Sequence, residues 1–191
     1  MPFLKYVVGA PTYYVKLALV SPILAAYFAK ALRNDIAKKF VLRRYVANQD
    51  IHSLRAIGSR FSHYVIPQML RPEGMERLRW HQEKGHICVL VSASLDVYLI
   101  PWAQKEHFDD VICTQLILYP DKNKSRIIDK NCFGAEKSAR IQRWTAGRVI
   151  GKTFAYGDSQ GDTHMLSSVD YGYLWSQKQR KFVPYIPHSG I

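Results

Sequence analysis

Two carboxylates four residues apart are the clearest candidates for chemistry in this sequence. Asp158 follows the apolar stretch TFAYG, and Asp162 lies at the start of the next predicted helix. A carboxylate at a strand end can hold a hard cation such as Mg²⁺, and one at a helix N-terminus is favoured electrostatically. We therefore expect Asp158 to ligate a metal ion and Asp162 to orient that ion or its waters.

Two further polar side chains are predicted at the same edge of the fold. Ser92 ends the apolar stretch ICVLVS, and Lys137 lies in the first turn of the helix after NCFG. Active sites of open parallel sheets lie outside the carboxyl ends of the strands. There Ser92 would donate a hydrogen bond to a phosphoryl oxygen, and Lys137 would neutralise its charge. Each residue alone has an ordinary interpretation as a turn, surface or capping residue, so the prediction depends on their combination.

The order of predicted elements indicates the fold class. Strands alternate with helices after residue 72, which predicts an α/β sandwich with a mostly parallel sheet. A helix is expected from Pro72 to just before Gly85, and HICVLVS is expected to be a fully buried strand. DVICTQLILYP and RIID are expected to form a hairpin, and the basic tail that begins at SQKQRK is expected to be a mobile end.

The charge is concentrated in the N-terminal part. The chain has 191 residues, enough for one globular domain with a small cap, and a formal net charge of +12. Residues 1–80 carry 13 Lys and Arg against four acids, whereas residues 81–191 carry 14 against 11. This excess would attract an anionic substrate, an acidic membrane surface or nucleic acid. Cys88, Cys113 and Cys132 show neither paired spacing nor a zinc pattern, which favours a reducing, cytoplasmic compartment.

The first thirty residues are apolar but interrupted. Pro11, Lys16 and Pro22 break the stretch, and a membrane-spanning helix needs about 20 uninterrupted apolar residues. Helical spacing continues to about Tyr64. A buried or interfacial helical hairpin is the preferred interpretation, ahead of docking on a membrane surface and well ahead of a membrane span.

Three stretches carry a family resemblance. VLVSAS, NCFGAEK and YGDSQGDTHML resemble, in this order, the second, third and fourth motifs of the haloacid dehalogenase-like hydrolases, in their phosphoserine-phosphatase-like branch (subfamily IB). The resemblance implies a Rossmann-like core at 72–191 with an α-helical cap at 1–71. It also implies Mg²⁺-dependent hydrolysis of phosphomonoesters through an aspartyl-phosphate.

The resemblance also assigns roles to residues by position. Ser92, with the adjacent Ala93 and Ser94, would bind phosphoryl oxygens, and Lys137 would stabilise their charge. Asp158 would ligate Mg²⁺, and Asp162 would support it. The expected substrate is a phosphorylated small molecule or a phospholipid head group.

The first motif of that family is missing from these residues. It is a central strand that ends in Asp-x-Asp-x-Thr, and its first aspartate is the nucleophile, yet no Asp-x-Asp occurs in this sequence. Asp96 is a poor substitute because it lies in a predicted helix. The chain as written is therefore expected to be inactive, with a misplaced start codon favoured over a degenerate copy. Without the central strand, its neighbours would have unpaired edges.

Other functions remain as alternatives. A non-catalytic relative would bind phosphoryl groups or metal through Ser92, Lys137 and Asp158 without turnover. Aromatic residues among the N-terminal cations would suit a nucleic-acid-binding module, but no recognisable motif supports one, so nucleic acid is not expected as a partner. Peripheral membrane contact through the apolar and basic N-terminal region is a further expectation.

Overall fold

A computed structural model describes residues 2–46, 49–118, 125–127 and 130–187. The chain forms two compact units. The first comprises Met1–Met69, Ser94–His107 and Cys113–Asn131, and the second comprises Leu70–Ala93, Phe108–Ile112 and Cys132–Ile191. The predicted division at residue 71 into a cap and a core stays a prediction.

The elements confirm the predicted mixture of helices and strands. The α-helices are α1 (Pro2–Val8), α2 (Ala10–Phe28), α3 (Asn34–Val46), α4 (Ile51–Tyr64), α5 (Pro72–Glu83), α6 (Asp96–Lys105), α7 (Ala135–Thr145) and α8 (Thr163–Leu166). The strands are β1 (Val89–Leu95), β2 (Asp110–Thr114), β3 (Leu116–Leu118), β4 (Ser125–Ile127), β5 (Phe154–Gly157), β6 (Tyr171–Ser176) and β7 (Lys181–Pro184). Short 3₁₀ helices occupy Ile66–Met69 and Gln160–Asp162.

The first unit is built on a core of aromatic rings. Phe3 of α1, Phe61 of α4 and Tyr98 of α6 pack with ring centroids 4.6 to 5.3 Å apart. Helices α4 and α6 approach closely at Gly58, where an added Cβ would lie 2.2 Å from the carbonyl oxygen of Val97. Only glycine permits this approach.

Among the described residues, the strands form three separate sheets. β1 pairs with β2, β3 pairs antiparallel with β4, and β5 pairs in parallel with β6, which continues antiparallel to β7. The β3–β4 pairing confirms the predicted hairpin, whose connecting turn lies outside the described residues. The expectation of a mobile C-terminal end is wrong for 181–184, because this segment pairs with β6 and Phe182 packs on Trp175 and Tyr156.

Strand β1 differs from its prediction in burial. It extends to Leu95, and only that residue is fully buried, whereas the rest of the strand is partly exposed. The physical reason is that, among the described residues, β1 has only β2 as a strand partner, so it is an edge strand and not an interior strand of a parallel sheet. Cys88, just before β1, is buried as a free thiol, as its position in the apolar stretch predicted.

The second unit has its own core around β5. Ala155, Met165 and Leu166 form its buried centre, and partly buried apolar side chains pack on them: Val91, Ile141, Val169, Leu174 and Tyr185. Val91 of β1 therefore reaches the same core as β5. Ser92 lies in the middle of β1 and not at its carboxyl end as predicted, because β1 continues to Leu95, whereas Asp158 directly follows β5.

Candidate active site

A buried ion pair joins two of the predicted site residues. The Lys137 ammonium nitrogen lies 2.5 Å from Asp162 Oδ1, and the two residues are only 7% and 5% exposed. Lys137 lies in the first turn of α7, and Asp162 ends the 3₁₀ helix that follows β5. A buried charge without a partner is costly, so each of these groups requires the other.

The second oxygen of the Asp162 carboxylate fixes the turn after β5. Oδ2 accepts hydrogen bonds from the backbone N–H groups of Asp158 and Ser159, both at 3.1 Å, and from the Ser159 hydroxyl at 2.8 Å. This is a capping box, in which Ser159 and Asp162 satisfy each other's free N–H groups. Burial raises the pKa of Asp162, but Lys137 and the Ser159 and Asp158 donors outweigh it and hold the pKa below its ordinary value.

Glycines allow this turn to fold so tightly. An added Cβ at Gly157 would lie 2.6 Å from the Cβ of Asp162, and one at Gly161 would lie 2.3 Å from Cε2 of Phe133. Real Cβ atoms essentially never come so close to such neighbours. The spacing of glycine and aspartate in YGDSQGD is therefore required by the packing as well as by any chemistry.

Lys137 also reaches β1. Its ammonium donates to the carbonyl oxygen of Val91 at 3.3 Å, which places it beside the residue that precedes Ser92. The structure thus brings Lys137, Asp162 and the Ser92 segment together within the second unit. Ala93 follows in β1, whereas Ser94 belongs to the first unit, where its side chain hydrogen-bonds Tyr98.

Asp158 is placed differently from Asp162. Its side chain is more than half exposed, and Oδ2 accepts a hydrogen bond from Nη2 of Arg71 at 3.3 Å. The Arg71 guanidinium lies over the ring of Trp175, 4.8 Å from its centroid. The β5–β6 register pairs Gly157 with Leu174, so the next residues, Asp158 and Trp175, come level at the ends of the two strands.

Sequence reasoning missed Arg71 and Trp175. Trp175 carried a usable signal, since it lies in the apolar stretch YGYLW, which has the character of a strand and follows TFAYG in the sequence. Arg71 carried none, because its position before Pro72 indicates only where a helix begins.

The two aspartates differ in what they offer a metal ion. Both oxygens of Asp162 already accept hydrogen bonds, one from Lys137 and the other from the turn, which suits this residue to position its neighbours. Asp158 has an accessible carboxylate. Mg²⁺ is commonly bound by one or two carboxylates, with waters and substrate phosphates completing the shell, so Asp158 fits as one protein ligand. Within the described ranges, no cluster of three His, Cys, Asp or Glu could hold a metal.

Asp96, the poor substitute for a nucleophile, is committed elsewhere. It is buried at the start of α6 in the first unit, and Oδ1 accepts a hydrogen bond from the backbone N–H of Leu116 at 3.0 Å. Burial raises the pKa of its carboxyl group, although several backbone hydrogen bonds oppose the effect. These contacts give Asp96 a structural role.

Comparison with known proteins identifies the family. The model of the haloacid dehalogenase-like hydrolase family matches residues 2–167, most of the chain. The chain belongs to the haloacid dehalogenase-like hydrolases. Protein CicA of Caulobacter vibrioides is 30% identical over 169 residues, which cover 88% of this chain and 75% of CicA.

Solved structures share the fold of this chain. A protein of unknown function from Bordetella pertussis Tohama I aligns with a TM-score of 0.72 at 22% identity, over 88% of this chain and 78% of its own. A phosphoserine phosphohydrolase-like protein from Francisella tularensis aligns with a TM-score of 0.60 at 16% identity, over 90% and 76%. These similarities confirm the predicted Rossmann-like α/β fold.

Proposed function

We propose that this hydrolase is a Mg²⁺-dependent phosphomonoester phosphatase, and that the 191 residues supply only one half of its active site. That half comprises Ser92, Lys137, Asp158 and Asp162. The observation that carries the proposal is the buried Lys137–Asp162 pair, which is bonded to β1 beside Ser92 and to the backbone of Asp158.

Each residue in this half has a distinct task. The Lys137 ammonium neutralises the charge of a phosphoryl group, and the Ser92 hydroxyl donates to one of its oxygens. Asp162 holds the ammonium in place and fixes the backbone of Asp158. Asp158 would be a ligand of Mg²⁺ once its carboxylate leaves Arg71. When bound, Mg²⁺ stabilises negative charge on the phosphoryl oxygens.

The nucleophilic carboxylate is proposed to come from residues outside this sequence. The sequence contains no Asp-x-Asp, and Asp96 is engaged in the first unit. The division of β1 and β5 between two sheets supports the expectation that a strand belongs between them. Such a strand would end beside Asp158, at the edge of the sheet where a nucleophile is needed. The 191 residues alone are therefore expected to show no turnover.

The first test measures hydrolysis of p-nitrophenyl phosphate with Mg²⁺ and with EDTA. The 191-residue chain is compared with a longer product of the same reading frame that includes a strand ending in Asp-x-Asp. We expect turnover only from the longer protein and only with Mg²⁺. Lys137→Met and Asp158→Ala should abolish it, whereas Lys152→Met, the same change at an exposed lysine, should not.

Two results would contradict the proposal in different ways. Mg²⁺-dependent turnover by the 191 residues alone would show that they contain a nucleophile. Metal binding by the longer protein without turnover, measured by calorimetry, would favour the alternative of a non-catalytic phosphoryl- or metal-binding relative. Comparing phosphoserine with a phosphorylated lipid head group as substrates would then separate the two expected substrate classes.

A further inference from the structure

Helix α2 exposes an unusual surface. Of its nineteen residues only Val20 is buried. Its exposed residues recur at three- and four-residue spacing along one side, and those that form what we call the apolar stripe are Pro11, Tyr14, Val15, Ala18, Leu19, Pro22, Ala25 and Phe28. Four of them are large side chains with 55% to 77% of their surface exposed. All of α2 is described, and none of its exposed residues is charged.

The charged group of α2 and the Ser21 hydroxyl both make contacts within the protein. Its one charged residue, Lys16, is partly buried and lies over the ring of Tyr45 in α3, 5.7 Å from the centroid. The Ser21 hydroxyl donates to the carbonyl oxygen of Ala18 at 2.7 Å. An ordinary surface helix has its charges outward and its apolar face inward, so α2 has the opposite arrangement.

The extent of the stripe argues for a partner. From Pro11 to Phe28 it runs about 27 Å along the helix, at 1.5 Å per residue. Soluble monomers rarely expose a continuous apolar patch of this size, and such patches mark contacts with a membrane or another protein. Across the described part of the chain, no helix is long and apolar enough to cross a bilayer. A contact that lies along the helix is therefore the form to consider.

The charges of the N-terminal helices indicate which partner fits. Residues 1–46 carry eight Lys and Arg but only one acid, Asp35, which is paired with Arg33 at 3.2 Å. The exposed residues of α3 combine cations with large apolar side chains, namely Ile36, Lys39, Phe40, Arg43 and Arg44. Apolar side chains that enter a lipid interface, flanked by cations that meet anionic head groups, are typical of helices lying on a membrane surface.

We propose that the apolar stripe of α2, with the basic exposed side of α3, docks the chain on an anionic phospholipid membrane. Charge complementarity favours this partner over a second copy, because a symmetric self-contact would bring two equally basic surfaces together. The inference does not depend on the phosphatase proposal, since α2 and α3 lie in the first unit and contain none of the proposed site residues. Membrane binding can therefore fail while hydrolysis holds, and the reverse.

The test is co-sedimentation of the full 191-residue chain with vesicles. One set of vesicles contains phosphatidylglycerol in phosphatidylcholine, and the other contains phosphatidylcholine alone. We expect binding to the anionic vesicles that weakens as salt is raised. Val15→Glu with Leu19→Glu should lower the affinity at least about 100-fold, because burying each of these side chains contributes about tenfold or more. Val149→Glu, the same change at a fully exposed valine of the second unit, is the matched control and should bind as wild type.

A second set of variants tests the charges. Lys39→Gln, Arg43→Gln and Arg44→Gln should each weaken binding to the anionic vesicles about fivefold, with little effect on any residual binding to neutral vesicles. All these positions are exposed, and circular dichroism verifies that each variant is folded. The proposal is overturned if wild type does not bind anionic vesicles at low salt. It is equally overturned if the Val15/Leu19 variant binds as well as wild type. A further contrary result would be that wild type is a dimer that binds no vesicles and that the Val15/Leu19 variant is a monomer.

Discussion

Removing either partner of the buried Lys137–Asp162 pair should destabilise the protein by several kcal/mol. Deleting one member of a buried ion pair typically costs about 3–5 kcal/mol, because the remaining charge has no partner and little water. Lys137→Met leaves Asp162 with three donors from Asp158 and Ser159, so we expect a loss near the lower limit, about 3 kcal/mol. Asp162→Asn leaves the ammonium with the Val91 carbonyl and removes the charged cap of the turn, so its loss should be larger.

A double variant separates the energy of the interaction within the pair from the energy of the contacts that each residue makes with its surroundings. Lys137→Met with Asp162→Asn removes both charges, so its cost should fall short of the sum of the single costs by about 2 kcal/mol or more. Urea unfolding followed by circular dichroism at neutral pH gives these free energies. Lys152→Met is the control and should stay within about 0.5 kcal/mol of wild type. Additive costs, or a loss below about 1 kcal/mol for Lys137→Met, would refute the buried pair and with it the assembled half-site.

Two further predictions concern parts of the fold outside the site. The pKa of His81 is lowered mainly by burial and, to a smaller extent, by the nearby charges of His86 and Arg77. As the pH falls, the unfolded chain therefore binds a proton at this residue before the folded chain does. The free energy of unfolding should therefore fall as the pH drops from about 7 to 5, and His81→Gln should flatten that dependence in urea titrations; an unchanged slope would contradict the assignment. Gly58→Ala should cost several kcal/mol because its Cβ would meet the Val97 carbonyl, whereas Gly74→Ala, in an open helical position, should stabilise by about 0.5–1 kcal/mol. The comparison would be refuted if both variants shifted the melting temperature in the same direction.

Local pattern was enough to predict the α/β class and the order of the site residues. The strands at β1 and β5 are short apolar stretches bounded by turn residues, and the glycine–aspartate spacing after β5 encodes a tight capped turn. Because such features depend on neighbours within a few residues, a sequence shows them directly. The placement of Lys137 followed from its helix start and from the family motif.

Features that depend on distant partners could not be predicted in this way. The segment at β7 was predicted to be a mobile tail because its sequence is basic. It is ordered because Phe182 packs on Trp175 and Tyr156, which a local pattern does not show. Arg71 reaches Asp158 across 87 positions of sequence, and no local pattern encodes that distance. The partial burial of β1 likewise reflects which strands surround it.

Asp162 has two structural roles, so its presence in a sequence is weak evidence of catalytic activity. One carboxylate closes the turn after β5 and also neutralises a buried lysine, and Gly157 is needed so that it fits. A lineage that abandoned turnover would still face selection to keep these residues, simply to remain folded. The fourth motif is therefore a stronger marker of ancestry than of activity, and a pseudoenzyme of this family could retain it intact.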